Sequence, residues 1–111
     1  GFGYWTVLDR ETGTWLGEAG FSDFKRGMSP NLSEWPEAGW AFGRASWGRG
    51  IGSEVVKRMH AWLDETRPGK SVCIIDEDNV ASRRVAEKAG YMLWTMSSLG
   101  DHPVTVYHRV P

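Results

Sequence analysis

The chain has 111 residues, 41% hydrophobic and 24% charged, which is the composition of one globular domain rather than of a disordered or fibrous protein. Its formal net charge of −1 gives no whole-chain positive field for nucleic acid or an anionic membrane. No apolar run approaches the roughly 18 residues of a membrane span. The one cysteine, Cys73, excludes an internal disulfide and suits a reducing, cytoplasmic compartment. The three histidines and the cysteine are not spaced in the sequence as metal ligands are, so we expect no metal site.

The first half of the chain predicts three strands, over residues 4–9, 14–24 and 37–42, because aromatic and β-branched residues are frequent there. Gly13 suits a turn between the first two strands. The polar stretch 25–35 predicts a loop. Gly39 lies inside the third strand and indicates a bulge or a close backbone approach.

The second half alternates helices and strands. Apolar residues at helical spacing predict a helix over 51–65, with a core stripe of Ile51, Val55, Met59, Trp62 and Leu63. A short apolar run predicts a strand buried on both faces over 71–75. Asp78 or Asn79 can cap a second helix that runs to residue 89, where Gly90 suits a left-handed end. Two more strands, 91–96 and 104–110, are joined by a loop over 97–103.

The predicted order is β-β-β-α-β-α-β-β, which is an α/β class with a crossover helix between the third and fourth strands. Such a crossover makes these two strands parallel neighbours. We expect Trp62 and Trp94 in the core, and His60 at the boundary of the first helix's apolar stripe. Trp35 and Trp40 are expected to pack in the core, with the lining of a channel as the alternative. Cys73 is expected to be buried and unreactive.

A glycine cluster between the third strand and the first helix, Trp47-Gly48-Arg49-Gly50-Ile51-Gly52, carries the first functional signal. Glycines let the backbone approach a ligand, and the first turn of a helix has unpaired amide hydrogens. Together they suit a phosphate, and Arg44 and Arg49 can add positive charge. A simple tight turn is the alternative. The spacing fits neither a Walker loop nor the dinucleotide fingerprint.

At this point the sequence resembles the GNAT acyl-CoA-dependent N-acetyltransferases, and more narrowly the branch of the ribosomal-protein N-terminal acetyltransferases. The glycine cluster resembles the family's pyrophosphate loop, with Trp47 in place of an Arg or Gln. Residues 79–91 resemble a second block that begins with Asn79 and ends in Glu87-Lys88-Ala89-Gly90-Tyr91. Residues 36–40 resemble the strand block just before the loop.

The resemblance implies the GNAT fold, a mixed and mostly antiparallel twisted sheet in which two central parallel strands splay apart. It covers residues 1–111 as a single acetyltransferase domain. Family members begin with a further strand and one or two helices, so we expect roughly 50 to 60 such residues to be missing before Gly1. The first strand here would then lie at an edge.

The resemblance also implies a ternary complex in which an acceptor amine attacks acetyl-CoA directly, without a metal. It places the cofactor's pyrophosphate on the loop and its pantetheine arm along the third strand and beside the second helix. The implied cofactor-binding residues are Trp40, Ala41, Phe42, Trp47, Gly48, Arg49, Gly50, Ile51, Gly52, Asn79 and Ser82. Asn79 has helix capping as its alternative role. Arg83 and Arg84 have two alternative interpretations. They contact the ribose phosphate of the cofactor, or they are exposed to solvent on the helix surface.

Two catalytic residues are implied, each with an open alternative. Many family members carry a tyrosine at the position of Ala86 that protonates the leaving thiolate, and Ser82 lies one helical turn earlier as its substitute. Ser82 is otherwise a small polar residue packed near the cofactor. Glu37 matches a general-base position on the third strand, or is an edge-strand glutamate. The rival bases are Asp76, Glu77 and Glu18.

The leading hypothesis is acetyl transfer from acetyl-CoA to a small-molecule amine or a peptide N-terminus, by a monomer or homodimer. No nucleic acid or membrane partner is expected. A non-catalytic acyl-CoA-binding sensor is the alternative from another class, because the tyrosine is missing and the base is not fixed. An unrelated phosphate-binding or structural α/β domain is the third hypothesis. Catalysed transfer separates the first two, and CoA binding separates both from the third.

Overall fold

The computed structural model describes residues 3–22 and 34–110, and within them a six-stranded sheet carries two helices. The strands are β1 (Tyr4–Leu8), β2 (Trp15–Ser22), β3 (Glu37–Phe42), β4 (Ser71–Asp76), β5 (Met92–Leu99) and β6 (His102–Arg109). The helices are α1 (Ile51–Thr66) and α2 (Val80–Lys88), and a 3₁₀ turn (Arg44–Ser46) precedes α1. The predicted order of elements is confirmed, and most of the predicted loop 25–35 lies outside the described residues.

The strand order is β1-β2-β3-β4-β6-β5, with β3 and β4 parallel and every other neighbouring pair antiparallel. This confirms the parallel pair predicted from the crossover helix, which is α1. Gly13 has φ 74° in the β1–β2 turn, and Gly90 has φ 102° after α2, as predicted for these two glycines.

Side chains alternate across each strand, so the sheet has two distinct faces. On the helix face, α1 and α2 pack over a core that includes Phe21, Ala38, Cys73, Ile75 and Tyr107. The residues between these positions point to the opposite side, which we call the second face. There Val72 and Val106 pack with Trp35 and Ile74. Glu37 and Asp76 also belong to the second face, because each is one residue away from a helix-face position.

The connection between β5 and β6 differs from the prediction. Residues 97–103 are not a loop, because β5 continues to Leu99 and β6 begins at His102. The turn consists of Gly100, with φ 61°, and Asp101. A two-residue turn with a left-handed glycine fits the twist of a hairpin.

The buried side of α1 also differs from the predicted stripe, because the buried face of the helix includes His60 and not Trp62. Val56, Met59, His60 and Leu63 are buried, whereas Trp62 is 39% exposed and packs edge-on against Trp5. The predicted boundary position of His60 is therefore wrong. The predicted core position of Trp94 is wrong too, because it is 37% exposed and stacks on His108.

His60 is buried because both of its ring nitrogens have partners. Nδ1 lies 2.7 Å from the Val56 carbonyl oxygen, which can only accept, so Nδ1 carries the hydrogen. Nε2 then accepts the hydroxyl proton of Tyr91 at 2.7 Å, and the Tyr91 oxygen accepts from the Ser71 hydroxyl at 2.9 Å. Burial lowers the pKa of His60 to about 4 from its ordinary 6.5, although Asp64 acts in the opposite direction.

This neutral histidine predicts a loss of stability in acid. Below pH 6.5 the unfolded chain binds a proton that the folded chain does not bind until about pH 4, so the free energy of unfolding falls across that window. We expect His60 to contribute about 3 kcal/mol to the loss between pH 7 and pH 4. Urea unfolding of the wild type and of His60→Gln at both pH values measures it, because glutamine does not titrate. Equal pH dependence in the two proteins would contradict this assignment.

The end of β6 ties both helices to the sheet. The Arg109 guanidinium donates to both carboxylate oxygens of Asp64 on α1 at 2.9 Å, and its Nε donates to the Ala89 carbonyl after α2 at 2.8 Å. This ion pair lowers the pKa of Asp64. Both helices are thereby fixed beside the parallel strands, where the candidate site lies.

Candidate functional site

The parallel strands β3 and β4 separate almost as soon as they pair. Glu37 and Val72 are their Cα partners at the start of the strands, and the Val72 amide donates to the Pro36 carbonyl at 3.0 Å. Beyond this pair, the described residues of β3 have a strand partner only on the β2 side. A cleft of about 400 Å³ fills the opening, and we call it the strand cleft. Its walls come from β3, β4 and the start of α2.

A second cavity, of about 480 Å³, lies under the glycine cluster and is here called the loop cavity. It is walled by the end of β3, the residues 46–48 and the first turns of α1 and α2. Trp40, Ala41, Asn79 and Ser82 line both cavities. The two spaces are therefore adjacent along one side of β3, and together they offer room for an elongated ligand.

The glycine cluster presents bare backbone to the loop cavity. Gly48 and Gly50 have φ of 73° and 72°, a left-handed conformation that side chains rarely adopt, and a Cβ on either would meet open space. Gly50 is the N-cap of α1 and supplies no side-chain cap. The first helical bond runs from the Glu54 amide to the Gly50 carbonyl at 3.1 Å, which leaves the amides of residues 51–53 without helical partners.

Phe42 holds the glycine cluster against the sheet. The Trp47 indole nitrogen donates to the Phe42 carbonyl at 3.2 Å, although the Trp47 side chain is 65% exposed. A Cβ on Gly52 would lie 3.4 Å from the Phe42 ring, so α1 approaches β3 closely at this point. Ile51, Gly52 and Ser53 thus line the loop cavity from a fixed helix end.

The two arginines near the cluster have other partners. Arg49 donates to the Ala45 carbonyl at 2.9 Å and reaches Asp9 in the β1–β2 turn at 3.4 Å. The Arg49 side chain is not among the residues that line the loop cavity. The Arg44 guanidinium lies 5.9 Å from the centre of the Trp47 ring. In this structure the groups that line the loop cavity and suit an anion are the amides of residues 51–53, and the side chains of Arg44 and Arg49 do not line it.

Helix α2 brings Asn79 and Ser82 to both cavities. The Asn79 side-chain oxygen accepts from the Ser82 amide at 3.1 Å, so Asn79 caps the helix as predicted. Within residues 3–22 and 34–110 the Ser82 hydroxyl makes no hydrogen bond. Ala86, one turn later, is completely buried in the core. Of these two α2 positions, only Ser82 is open to the cavities.

Arg83 is not simply a solvated residue of the helix face, because its side chain has partners outside α2. Its Nε donates to the Tyr107 hydroxyl at 3.0 Å, and its terminal nitrogen donates to the Glu77 carbonyl at 3.2 Å. The Tyr107 hydroxyl in turn donates to Glu87 at 3.3 Å. Arg83 thus fixes α2 to the sheet, whereas Arg84 lies on the exposed surface.

Of the four carboxylates considered as general bases, only two line the strand cleft. Glu37 and Asp76 line the strand cleft, and Glu18 and Glu77 do not. Glu37 is 7% exposed and lies at the closed end, where β3 and β4 pair. Asp76 is the last residue of β4 and lies at the open end, with its side chain 58% exposed. Both belong to the second face of the sheet.

Cys73 lies in the wall of the strand cleft but is buried in the core, as predicted. Burial raises the pKa of its thiol, and the nearby Glu37 carboxylate raises it further. The thiolate form is therefore suppressed at neutral pH, which argues against a covalent cysteine mechanism.

Sequence reasoning missed two residues, one that lines the strand cleft and one that contacts a lining residue from outside it. Tyr4 lines it from β1, and its hydroxyl contacts the position that a Cβ on Gly39 would occupy. This confirms the close approach predicted at Gly39. His102, from β6, lies beside Asp76, with Nε2 2.9 Å from Oδ1. Gly39 inside β3 was the sequence signal for the Tyr4 contact.

Within residues 3–22 and 34–110, no group of His, Cys, Asp and Glu side chains is arranged to hold a metal ion. In the same part of the chain, neither helix is long and apolar enough to cross a membrane.

Comparisons with known proteins agree with this architecture. Residues 1–92 match the acetyltransferase (GNAT) domain. The uncharacterized protein YkkB of Bacillus subtilis (strain 168) is 31% identical over 110 residues, which are 98% of this chain and 62% of YkkB. A solved protein of Bordetella pertussis, assigned to the GnaT acetyltransferase family, superposes with a TM-score of 0.90 at 30% identity and covers 98% of this chain and 66% of its own.

A solved acetyltransferase from Agrobacterium tumefaciens str. C58 superposes with a TM-score of 0.80 at 25% identity, over 99% of this chain and 61% of that one. The chain thus spans less than two thirds of the length of all three proteins. The family match covers most of the chain and includes the β3–α1–β4–α2 region that builds both cavities. The chain belongs to the GNAT acetyltransferase family.

Proposed function

We propose that this protein is an acetyl-CoA-dependent N-acetyltransferase, which transfers the acetyl group to a primary amine of a small molecule or a protein N-terminus. One observation carries the proposal. The parallel strands β3 and β4 part after a single residue pair, and their opening adjoins a glycine loop with bare helix amides. An elongated co-substrate with an anionic end matches this shape, and CoA has that form.

The residues present fit CoA. Its pyrophosphate has a site on the amides of the glycine loop, because Gly48 and Gly50 place no side chain there. The pantetheine arm has unpaired backbone along β3, next to Asn79 and Ser82. The proposed contacts are those expected from the sequence with the exception of Arg49, namely Trp40, Ala41, Phe42, Trp47, Gly48, Gly50, Ile51, Gly52, Asn79 and Ser82. Arg49 has a supporting role, since it links the loop to Asp9.

The proposed reaction is a direct attack of the amine nitrogen on the thioester carbon. The nitrogen–carbon bond forms, the carbon–sulfur bond breaks, and CoA leaves as a thiolate. Glu37, at the closed end of the strand cleft, accepts a proton from the nitrogen as it becomes positively charged during attack. Ser82 donates a proton to the sulfur and regains one from water. Holding both substrates in one cleft supplies much of the rate enhancement.

The role of Ser82 predicts a selective loss of turnover. We expect Ser82→Ala to lower kcat by about tenfold or more, with acetyl-CoA affinity changed less than about threefold. Ser53→Ala is the matched control, because Ser53 lines the loop cavity but lies on α1, away from the strand cleft. Steady-state kinetics with acetyl-CoA measures both variants. Equal kcat values for the two would remove Ser82 from the mechanism.

The proposal is tested by acetyl transfer itself. Purified protein is incubated with acetyl-CoA and a panel of primary amines and N-terminal peptides, and free thiol and acetylated amine are quantified together. Catalysed and stoichiometric formation of both products supports the enzyme. Binding of acetyl-CoA with no transfer to any acceptor would favour the alternative, a non-catalytic acyl-CoA sensor. No binding of CoA would contradict both.

Three finer points are part of the proposal. We place the protein in the branch of the ribosomal-protein N-terminal acetyltransferases, on the strength of Ser82, Ala86 and the block 79–91. We treat residues 1–111 as part of one acetyltransferase domain that works as a monomer or homodimer. A cytoplasmic location is supported by Cys73, which is a buried free thiol.

A further inference from the structure

At the open end of the strand cleft, the lining residue Asp76 pairs with His102, whose imidazole lies just outside the cleft lining. Asp76 ends β4 and lies opposite Val104 of β6, two residues beyond His102. Residues two apart on a strand point to the same face, so His102 reaches diagonally to Asp76 across the second face. Asp76 Oδ1 lies 2.9 Å from His102 Nε2. The two side chains are 58% and 61% exposed, so the pair connects the cleft with bulk water.

The proposed reaction releases two protons from nitrogen. A primary alkyl amine arrives as an ammonium ion at neutral pH, because the pKa of such a group is about 10. The ammonium must lose one proton to become a nucleophile, and the nitrogen loses a second once it has attacked the thioester. The leaving thiolate takes up one proton. One proton per turnover must therefore reach solvent.

Glu37 and Asp76 occupy different positions along the path of the amine. Glu37 is 7% exposed and lies at the closed end of the cleft beside Cys73. This position suits a base that accepts the second proton, which the nitrogen loses after it has attacked the thioester carbon. Asp76 stands at the open end, where an ammonium ion enters. A carboxylate there attracts the cation, and the imidazole beside it provides a second proton acceptor that faces water.

We infer that Asp76 and His102 form a proton relay that deprotonates the arriving ammonium ion. This inference rests on the proposed function. The Asp76 carboxylate can only accept, so Nε2 of His102 carries the hydrogen and donates it to Asp76, which leaves Nδ1 as the proton-accepting nitrogen. The ammonium donates a hydrogen bond to the Asp76 carboxylate and gives it a proton. This proton then passes by way of solvent water to Nδ1 of His102, which releases it to bulk water. The free amine then moves toward Glu37 and attacks. Asp76 contacts the substrate, and His102 acts through Asp76.

Two acceptors of similar size separate this role from a structural one. Ethylamine is an ammonium ion at neutral pH, whereas 2,2,2-trifluoroethylamine is largely the free amine and needs no first deprotonation. We expect His102→Ala to lower kcat/KM for ethylamine by about 100-fold and to change it less than about threefold for trifluoroethylamine. Added imidazole is expected to restore much of the ethylamine activity, because the site is open to solvent. Asp76→Asn is expected to impair ethylamine more than trifluoroethylamine.

His108→Ala is the matched control, because His108 lies on the same strand and face but stacks on Trp94 outside the cleft. It should retain both activities and show no response to imidazole. Equal losses of His102→Ala with both amines, or no rescue by imidazole, would overturn the relay while leaving acetyl transfer intact. Wild-type protein that binds acetyl-CoA but acetylates neither these two amines nor any member of the acceptor panel would contradict the proposed function, and the relay with it.

Discussion

Replacing Gly50 with glutamate is expected to weaken acetyl-CoA binding by about 100-fold or more. The substitution places a carboxylate at the N-terminal end of α1, where the amides of residues 51–53 have no helical partners. A negative charge about 4 Å from a pyrophosphate costs a few kcal/mol at an effective dielectric constant near 20, and 1.4 kcal/mol is tenfold in affinity. Calorimetric titration of acetyl-CoA and CoA into wild-type and variant protein measures the loss.

The chain offers a matched control for this substitution. Gly13 has φ 74°, almost the same as the 72° of Gly50, and a Cβ on either glycine meets open space. Gly13→Glu therefore introduces the same side chain with the same backbone strain, but in the β1–β2 turn. We expect it to lower stability as Gly50→Glu does and to leave CoA affinity within about twofold. Similar losses of affinity in the two variants would refute a pyrophosphate site on the loop.

Glu37→Gln is expected to lower kcat for acetyl transfer by about 100-fold or more. Glutamine keeps the shape of the side chain but cannot accept the proton that leaves the attacking nitrogen. Acetyl-CoA affinity should change little, because the proposed CoA contacts lie further along β3 and on the loop. Steady-state kinetics with titration calorimetry separates the two effects, and thermal unfolding reports whether the buried substitution has affected the fold.

Glu18→Gln controls for the loss of a negative charge on the same face. Glu18 lies on β2 directly opposite Ala41, is exposed and does not line the strand cleft. We expect this variant to retain at least half of the wild-type kcat. If Glu37→Gln were as active as Glu18→Gln, Glu37 would not be the base at the reacting carbon.

The strand and helix pattern was largely predictable because each element carries its own local signal. The crossover helix implied the parallel pair, Gly13 and Gly90 occupy left-handed positions, and Asn79 caps α2. The glycines and the cap depend on residues within one turn, and the parallel pair follows from the order of the elements, so sequence spacing is sufficient to identify them.

The errors arise where a partner distant in sequence decides the outcome. His60 is buried because Tyr91, 31 residues later, supplies a hydroxyl to its Nε2. Arg83 donates to Tyr107, 24 residues away, and is therefore not simply solvated. Helical spacing alone cannot identify such partners, and a histidine that has both nitrogens satisfied can replace an apolar residue in the core.

In the candidate site, too, the features with a local sequence signal were predictable and those that depend on distant residues were not. The glycine loop was visible as a contiguous motif, and the amides of residues 51–53 lie where that motif implies. The four candidate bases could not be ranked from sequence, because cleft lining depends on where β3 and β4 separate. The pairing of Asp76 with His102 depends on the register of β4 against β6, which no local pattern encodes.

A crystal structure of the protein with bound CoA is the decisive measurement for the proposed co-substrate site. We expect pyrophosphate oxygens within hydrogen-bond distance of the amides of residues 51–53. We also expect pantetheine amides paired with the backbone of Trp40 and Ala41, and the sulfur between Ser82 and Glu37. Binding of CoA outside the strand cleft, or with its pyrophosphate away from the glycine loop, would contradict this binding mode.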